Sequence, residues 1–131
     1  METNLTSQEA TKLANNFFAL SVSLTDYLFE KWDTLTQAQR DKLINNIRKI
    51  SNNGQKLLAL SATLVVEQSK ASLNIIDTVT NNIKSDLQAI ANVQKAINIA
   101  TSIVTLGSAL ISKNPIAIVQ AVTDLQEVFN A

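Results

Sequence analysis

The sequence lacks two residue types that many enzyme sites and metal centres use. None of its 131 residues is a cysteine or a histidine. A disulfide, a thiol nucleophile, an imidazole base and the usual zinc ligands are therefore excluded. Neither a glycine-rich phosphate loop nor a Gly-x-Ser-x-Gly elbow occurs. We expect a non-catalytic protein with no cofactor, no metal site and no small-molecule substrate.

Glycine and proline are almost as scarce. The chain has two glycines, Gly54 and Gly107, and one proline, Pro115, whereas average composition would give about nine glycines. Sheet proteins need frequent turns, and turns use both residue types. A hydrophobic fraction of 46% with 17% charged residues is enough for one packed core. The composition predicts an all-α protein with a single domain over residues 1–131.

Apolar residues recur at helical spacing along nearly the whole chain. In the first segment they advance by four, three, four and three residues, at Leu13, Phe17, Leu20, Leu24 and Tyr27. Further apolar side chains widen the same face: Ala14, Phe18, Leu28 and Trp32. This pattern predicts a long amphipathic helix whose apolar face is buried.

Helix ends are marked by capping residues at three places. Thr6 with Glu9, and Thr36 with Gln39, have the spacing of a capping box at a helix start. The sequence Lys113-Asn114-Pro115 places a cation at one helix end, a capping asparagine and a proline in the first turn of the next helix. It predicts a tight helical hairpin.

The interior of the chain has fewer signals. Ser51-Asn52-Asn53-Gly54 is a helix stop or kink signal. Residues 55–106 contain no glycine or proline, and one helix of that length would be about 78 Å long. We therefore expect a hidden turn, with Ser69–Ser72 and Asn81-Asn82 as candidates. The predicted fold is an antiparallel bundle of about four elongated helices, over approximately 6–33, 36–68, 71–112 and 115–129.

Charge is balanced overall but unevenly placed. The formal net charge is zero, which argues against nucleic-acid binding. Residues 1–33 carry five acidic and two basic side chains, and residues 34–56 carry five basic and one acidic. Two neighbouring antiparallel helices could pair the acidic side chains with the basic ones. Alternatively, the basic segment is a patch for an anionic surface or partner, formed by Arg40, Lys42, Arg48 and Lys49.

Three acidic residues have the helical spacing of a carboxylate pair or metal site, namely Asp26, Glu30 and Asp33. Lys31 lies among them, and metal sites on bundle helices normally add histidines, which are absent here. We interpret the three as an ordinary charged helix surface.

Residues 96–112 carry no charge, and all of their polar members except Ser102 form one stripe: Asn98, Thr101, Thr105, Ser108 and Ser112. Such an apolar helix must be covered. Three kinds of covering are open. The helix is the core helix of the bundle with its polar stripe in water, or it packs closely against another copy in an oligomer, or it is part of a membrane-active hairpin over 94–122. The predicted interaction residues are Ile97, Thr101, Ile103, Thr105, Leu106, Ala109 and Leu110.

Fourteen asparagines are many for helices, several of them in pairs. They either link helices in an interface or lie on solvated faces.

The leading functional prediction is a protein–protein interaction or self-assembly module, whose partner is another protein or a second copy. The alternative is membrane action through the hairpin 94–122. Long helices with an apolar hairpin resemble the helical pore-forming toxins and the phasins, and this likeness implies pore formation or lipid-surface coating. Residues 1–10 have no basic run before an apolar stretch, so we predict no secretory signal, with a cytoplasmic location or signal-independent export.

Overall fold

The computed structural model describes residues 2–4, 7–59, 65–67 and 70–131. In these residues it contains five α-helices: α1 Ser7–Glu30, α2 Gln37–Ala59, α3 Lys70–Asp86, α4 Val93–Ser112 and α5 Pro115–Asn130. Single 3-10 turns occur at Trp32–Thr34 and Leu87–Ala89. Two three-residue strands, β1 Glu2–Asn4 and β2 Val65–Glu67, pair antiparallel with Glu2 opposite Glu67. The predicted all-α helical bundle is confirmed.

The five helices pack in a ring around one core. Going round it, α1 contacts α2, α2 contacts α4, α4 contacts α5, and α3 fills the space between α5 and α1. The contacts of α3 with α1 and α5 are the smaller ones. The apolar face predicted for the first helix is confirmed, because all five of its residues are buried: Leu13, Phe17, Leu20, Leu24 and Tyr27.

Two of the predicted helix boundaries are confirmed in atomic detail. The Thr36 backbone N–H donates to Gln39 Oε1 at 2.8 Å, and the Gln39 N–H donates back to Thr36 Oγ1 at 3.1 Å. The Asn114 side chain accepts from the N–H groups of Ile116 and Ala117. The preceding Lys113 has the left-handed φ of 60° that ends α4. Thr6 of the other predicted capping box lies outside the described residues.

The predicted helix over 71–112 is wrong, because the chain breaks between Asp86 and Val93. The Asn92 side chain caps the new helix by accepting from the Lys95 N–H at 3.2 Å. The hidden turn at Asn81-Asn82 is also wrong, since both residues lie inside α3.

The predicted helix over 36–68 is too long, because α2 ends at Ala59 and residues 65–67 form a strand. The other candidate turn, at residues 69–72, lies close to the actual break, since α3 begins at Lys70. Residues 7–59 and 70–131 thus contain five α-helices, where about four were predicted for the chain.

The stop or kink signal at Gly54 does not end the helix, and α2 runs through it, as the predicted helix over 36–68 does. A Cβ atom at Gly54 would lie 2.8 Å from Cε1 of Phe18 on α1, and one at Gly107 would lie 2.9 Å from Cγ of Asn53 on α2. The buried Asn53 donates from Nδ2 to the Val104 carbonyl on α4 at 3.3 Å. Both glycines therefore permit close approach of neighbouring helices.

Candidate functional site

The apolar members of the predicted interaction set lie in the core. Their side chains are buried by the surrounding helices: Ile97, Ile103, Leu106, Ala109 and Leu110. The other two members, Thr101 and Thr105, are exposed together with the rest of the polar stripe. In the single chain, α4 is thus a core helix whose hydroxyl-rich face meets solvent, and a partner can reach only that face.

The predicted basic patch is divided between two places. Arg40 is held at the corner between α1 and α2, where Nε and Nη2 donate to the Trp32 carbonyl at 3.0 and 2.6 Å. Its guanidinium carbon lies 4.5 Å from the centroid of the Trp32 ring. Lys42, Arg48 and Lys49 are exposed further along α2.

Among the described residues, the acidic side chains of the first helical segment form no ion pairs with the basic side chains of the second, although such pairing was one of the two predictions. Within the described part of the chain, the recorded ion pair joins Lys12 on α1 to Asp77 on α3, with Nζ 3.1 Å from Oδ2. The exposed acidic side chains at the end of α1 are left without ionic partners in that part: Asp26, Glu30 and Asp33.

A polar groove of about 380 Å³ runs between α2 and α4. Lys42 and Lys49 line it from α2, together with Asn45 and Asn46, and α4 contributes four residues: Gln94, Ile97, Asn98 and Thr101. No acidic side chain is among these residues. We call it the lysine groove. It brings together two members of the predicted basic patch and two of the predicted interaction set.

The polar walls of the lysine groove are already bonded to each other. Asn46 Nδ2 donates to Thr101 Oγ1 at 3.2 Å, across the two helices. Gln94 Nε2 donates to Asn98 Oδ1 at 2.9 Å along α4. These two bonds order part of the polar lining, and neither Lys42 nor Lys49 forms an ion pair with another described residue.

The end of α1 exposes two aromatic side chains that stack on each other. Phe29 is 67% exposed and Trp32 is 37% exposed, and their ring centroids are 6.1 Å apart. Trp32 was predicted to belong to the buried stripe, which is wrong, because α1 ends at Glu30 and Trp32 lies in the following 3-10 turn. Phe29 was missed altogether, although its position outside the buried spacing was a signal.

A row of exposed residues leads up to this aromatic pair. The row advances by four, three and four residues, and we call it the α1 ridge: Val22, Asp26, Phe29 and Asp33. Neighbouring basic groups are occupied elsewhere, since Lys31 Nζ lies 6.0 Å from the Tyr27 ring centroid and Arg40 binds Trp32. The ridge thus alternates apolar side chains with carboxylates.

A polar cluster, which we call the clasp, joins α3 to α1 and consists of Lys12, Asn16 and Asp77. Asp77 accepts from Asn16 Nδ2 at 2.9 Å and from the Lys12 ammonium. The hydrogen bond from Asn16 lowers the pKa of Asp77 most, and the charges of Lys12 and Lys84 lower it further, against an opposing effect of burial. An open groove of about 700 Å³ lies beside this seam and has both lysines among its lining residues.

A second apolar patch lies where α3 meets α5. Ile116 is 80% exposed, Val119 is 50% exposed and Ile75 is 42% exposed. The cavity beside them, about 100 Å³, is lined mainly by aliphatic side chains. This patch has no aromatic residue and no charged residue among its lining, unlike the α1 ridge.

Two further features bear on the predicted alternatives. Among the described residues, α4 alone has the length and hydropathy of a membrane span, with a mean hydropathy of 1.3, but half of that window is buried. A core helix passes the same test. In the same residues, no group of three or more acidic side chains could hold a metal ion.

The class of protein defined by these features is an all-α bundle in which five helices surround a common core. No protein-family model, curated protein or solved structure matches the chain.

Proposed function

We propose that this protein is a non-catalytic protein–protein interaction module whose contact surface is the α1 ridge together with Trp32. The observation that carries the proposal is the stacked pair of Phe29 and Trp32 at the surface. Aromatic residues make up only 5% of the chain. Burying a side chain such as Phe is worth about 1.5–3 kcal/mol, and this gain is available to a partner.

The surroundings of the pair suit a binding surface. Tryptophan and arginine are enriched among the residues that dominate protein interfaces. Arg40 covers Trp32 and is fixed by its two hydrogen bonds to the Trp32 carbonyl. A preorganised aromatic side chain loses little conformational freedom when a partner binds. The three ridge residues on α1, Val22, Asp26 and Phe29, have the spacing of a helix face that inserts into a groove.

The test compares the wild-type protein with the double variant Phe29→Ala/Trp32→Ala and with the control Ile116→Ala, which removes a still more exposed apolar side chain from another face. Sedimentation velocity measures self-association of the pure proteins, and cross-linked capture from the source cells measures binding to other proteins. We expect the double variant to lose the association or the captured partner, and the control to keep it. Equal binding by all three proteins would reject the α1 ridge as the contact surface.

The alternative function is membrane action through residues 94–122, and it is favoured by the length and hydropathy of α4. It requires α4 to leave the core. Dye release from neutral and anionic liposomes tests it directly. Leakage that is unchanged in the Phe29→Ala/Trp32→Ala variant would favour this alternative over the interaction module.

A further inference from the structure

We propose that the partner of the α1 ridge is a second copy of this chain, and that the ridge of one copy docks in the lysine groove of the next. This inference rests on the proposed function, because it takes the ridge as the contact surface. It adds the identity of the partner and the surface that the partner presents.

Complementary charges support this pairing. Lys42 and Lys49 lie two turns apart on α2, and the ridge carries Asp26 on α1 and Asp33 in the 3-10 turn that follows it. All four side chains are exposed. The two carboxylates of the ridge therefore match the two ammonium groups of the groove in number and opposite charge.

The aromatic residue of the ridge lies between its two charges. Phe29 lies near the middle of the span between Asp26 and Asp33, as Asn45 and Asn46 lie between the two lysines. The groove lining also includes the aliphatic side chain of Ile97. Asn46 keeps its hydrogen bond to Thr101, and Gln94 keeps its hydrogen bond to Asn98.

The two kinds of contact have different roles in this arrangement. Exposed charge pairs mainly orient the partners and speed their encounter, whereas the aromatic contact supplies most of the affinity. The lysine groove has no acidic side chain in its lining, so nothing in it opposes the approach of the two aspartates.

Ridge and groove are different surfaces of the same chain, so the contact is heterologous. After one docking event, each pair of copies still has one free ridge and one free groove. Such contacts continue into a ring or an open filament. The mean mass in solution should therefore rise steadily with protein concentration.

Charge reversal tests the pairing. The ridge variant is Asp26→Lys/Asp33→Lys, the groove variant is Lys42→Glu/Lys49→Glu, and a third protein carries all four changes. A control, Lys84→Glu/Lys113→Glu, makes the same change in net charge as the groove variant at exposed positions elsewhere. Circular dichroism checks that each variant is folded, and sedimentation velocity measures association over a range of concentrations.

We expect each double variant alone to associate at least about tenfold more weakly than the wild type, because like charges then face each other. An equimolar mixture of the two should associate, since the acidic ridge of one meets the lysine groove of the other. The fourfold variant should regain self-association, and the control should behave as the wild type. Added salt should weaken the wild-type assembly.

Three results would overturn the pairing: a wild type that is monomeric at every concentration, double variants that associate as well as the wild type, or a mixture that does not associate. The proposed function is judged separately. If the wild type is monomeric but captures another protein through Phe29 and Trp32, the interaction module stands and the second copy is rejected. If the Phe29→Ala/Trp32→Ala variant assembles and captures normally, the interaction surface itself is rejected.

Discussion

The phenol of Tyr27 donates a 2.9 Å hydrogen bond to the backbone carbonyl of Ile90, 63 residues further along the chain. Tyr27 is fully buried on α1, and Ile90 follows the 3-10 turn that separates α3 from α4. Gln88 in the same turn donates from Nε2 to the Ser23 carbonyl at 3.0 Å. The break between α3 and α4 is thus fixed to α1 by two side-chain hydrogen bonds.

The Tyr27 phenol makes folding stability sensitive to alkaline pH. Burial raises the pKa of Tyr27 above its ordinary value, and the negative charge of Glu30 raises it further. The stability that depends on the neutral phenol is therefore fully present below pH 10.0, the ordinary tyrosine pKa, and is lost as the pH rises through the higher folded-state value. Urea unfolding at pH 8 and pH 11 measures this loss.

The matched control for the alkaline effect is Tyr27→Phe, which keeps the ring and removes the ionisable group. At pH 8 it should be less stable than the wild type by about 0.5–1.5 kcal/mol, the net value of one hydrogen bond. Since Tyr27 is the only tyrosine, the difference between the two proteins should shrink at pH 11. A constant difference across this range would contradict the assignment.

Asp77 should hold α3 in place down to acidic pH. Because its pKa is lowered in the fold, the clasp contributes stability above the ordinary value of 3.8 and loses it as the pH falls through the folded-state pKa. Asp77→Ala removes an ion pair and a hydrogen bond, at a cost of about 1 kcal/mol at neutral pH.

Hydrogen exchange locates the effect of Asp77→Ala. Amides of α3 should exchange faster in the variant, whereas amides of α4 should keep their protection. Asp86→Ala is the control, since it removes an exposed carboxylate from the last residue of the same helix. Equal exchange in α3 for both variants would show that the clasp does not hold the helix.

Ile103 should be costly to truncate because it is fully buried in the core face of α4. Ile103→Ala should lower the free energy of unfolding by about 2–5 kcal/mol. Thr105→Ala, two residues further on the exposed face, should change it by less than about 0.5 kcal/mol. Urea denaturation of both variants measures the difference. A small loss for Ile103→Ala would mean that this face of α4 is not packed in solution.

Gly107 should resist replacement by alanine even though alanine is the better helix former. Alanine normally gains about 1 kcal/mol over glycine within a helix, but here its Cβ would overlap the Asn53 side chain. Overpacking costs about 1–3 kcal/mol, so Gly107→Ala should destabilise the fold. In the Asn53→Ala background the same change should become neutral or stabilising. Thermal unfolding of the four proteins in this double-mutant cycle measures the coupling.

The sequence correctly predicted those helix ends that are capped by hydrogen bonds between residues close together in the chain. The reciprocal bonds of Thr36 with Gln39 and the cap at Asn114 join residues no more than three positions apart. The break after Asp86 was missed because the buried Leu87 and the half-buried Ile90 continue an apolar helical spacing. The break is held by the hydrogen bond from Tyr27 to the Ile90 carbonyl. Tyr27 is 63 residues away in the sequence, so no local pattern reveals this contact.

The candidate site was predicted only in part. Lys42 and Lys49 were recognised from charge, but their groove depends on how α2 lies against α4. Three of the paired asparagines do link helices, as one of the two interpretations predicted: Asn16, Asn46 and Asn53. Phe29 was missed because periodicity finds the residues that a helix buries and says little about those it presents to solvent.

The order of the helices around the ring has a consequence for synthesis on the ribosome. The pairs α1–α2 and α4–α5 join helices that are consecutive or nearly so, whereas α3 packs between helices from opposite ends of the chain. Loop closure makes such distant contacts the slowest to form. The apolar faces of α4 have no complete cover until the sixteen residues of α5 have been made. The nascent chain therefore passes through a stage in which the apolar face of α4 is exposed, and the synthesis of α5 ends this exposure.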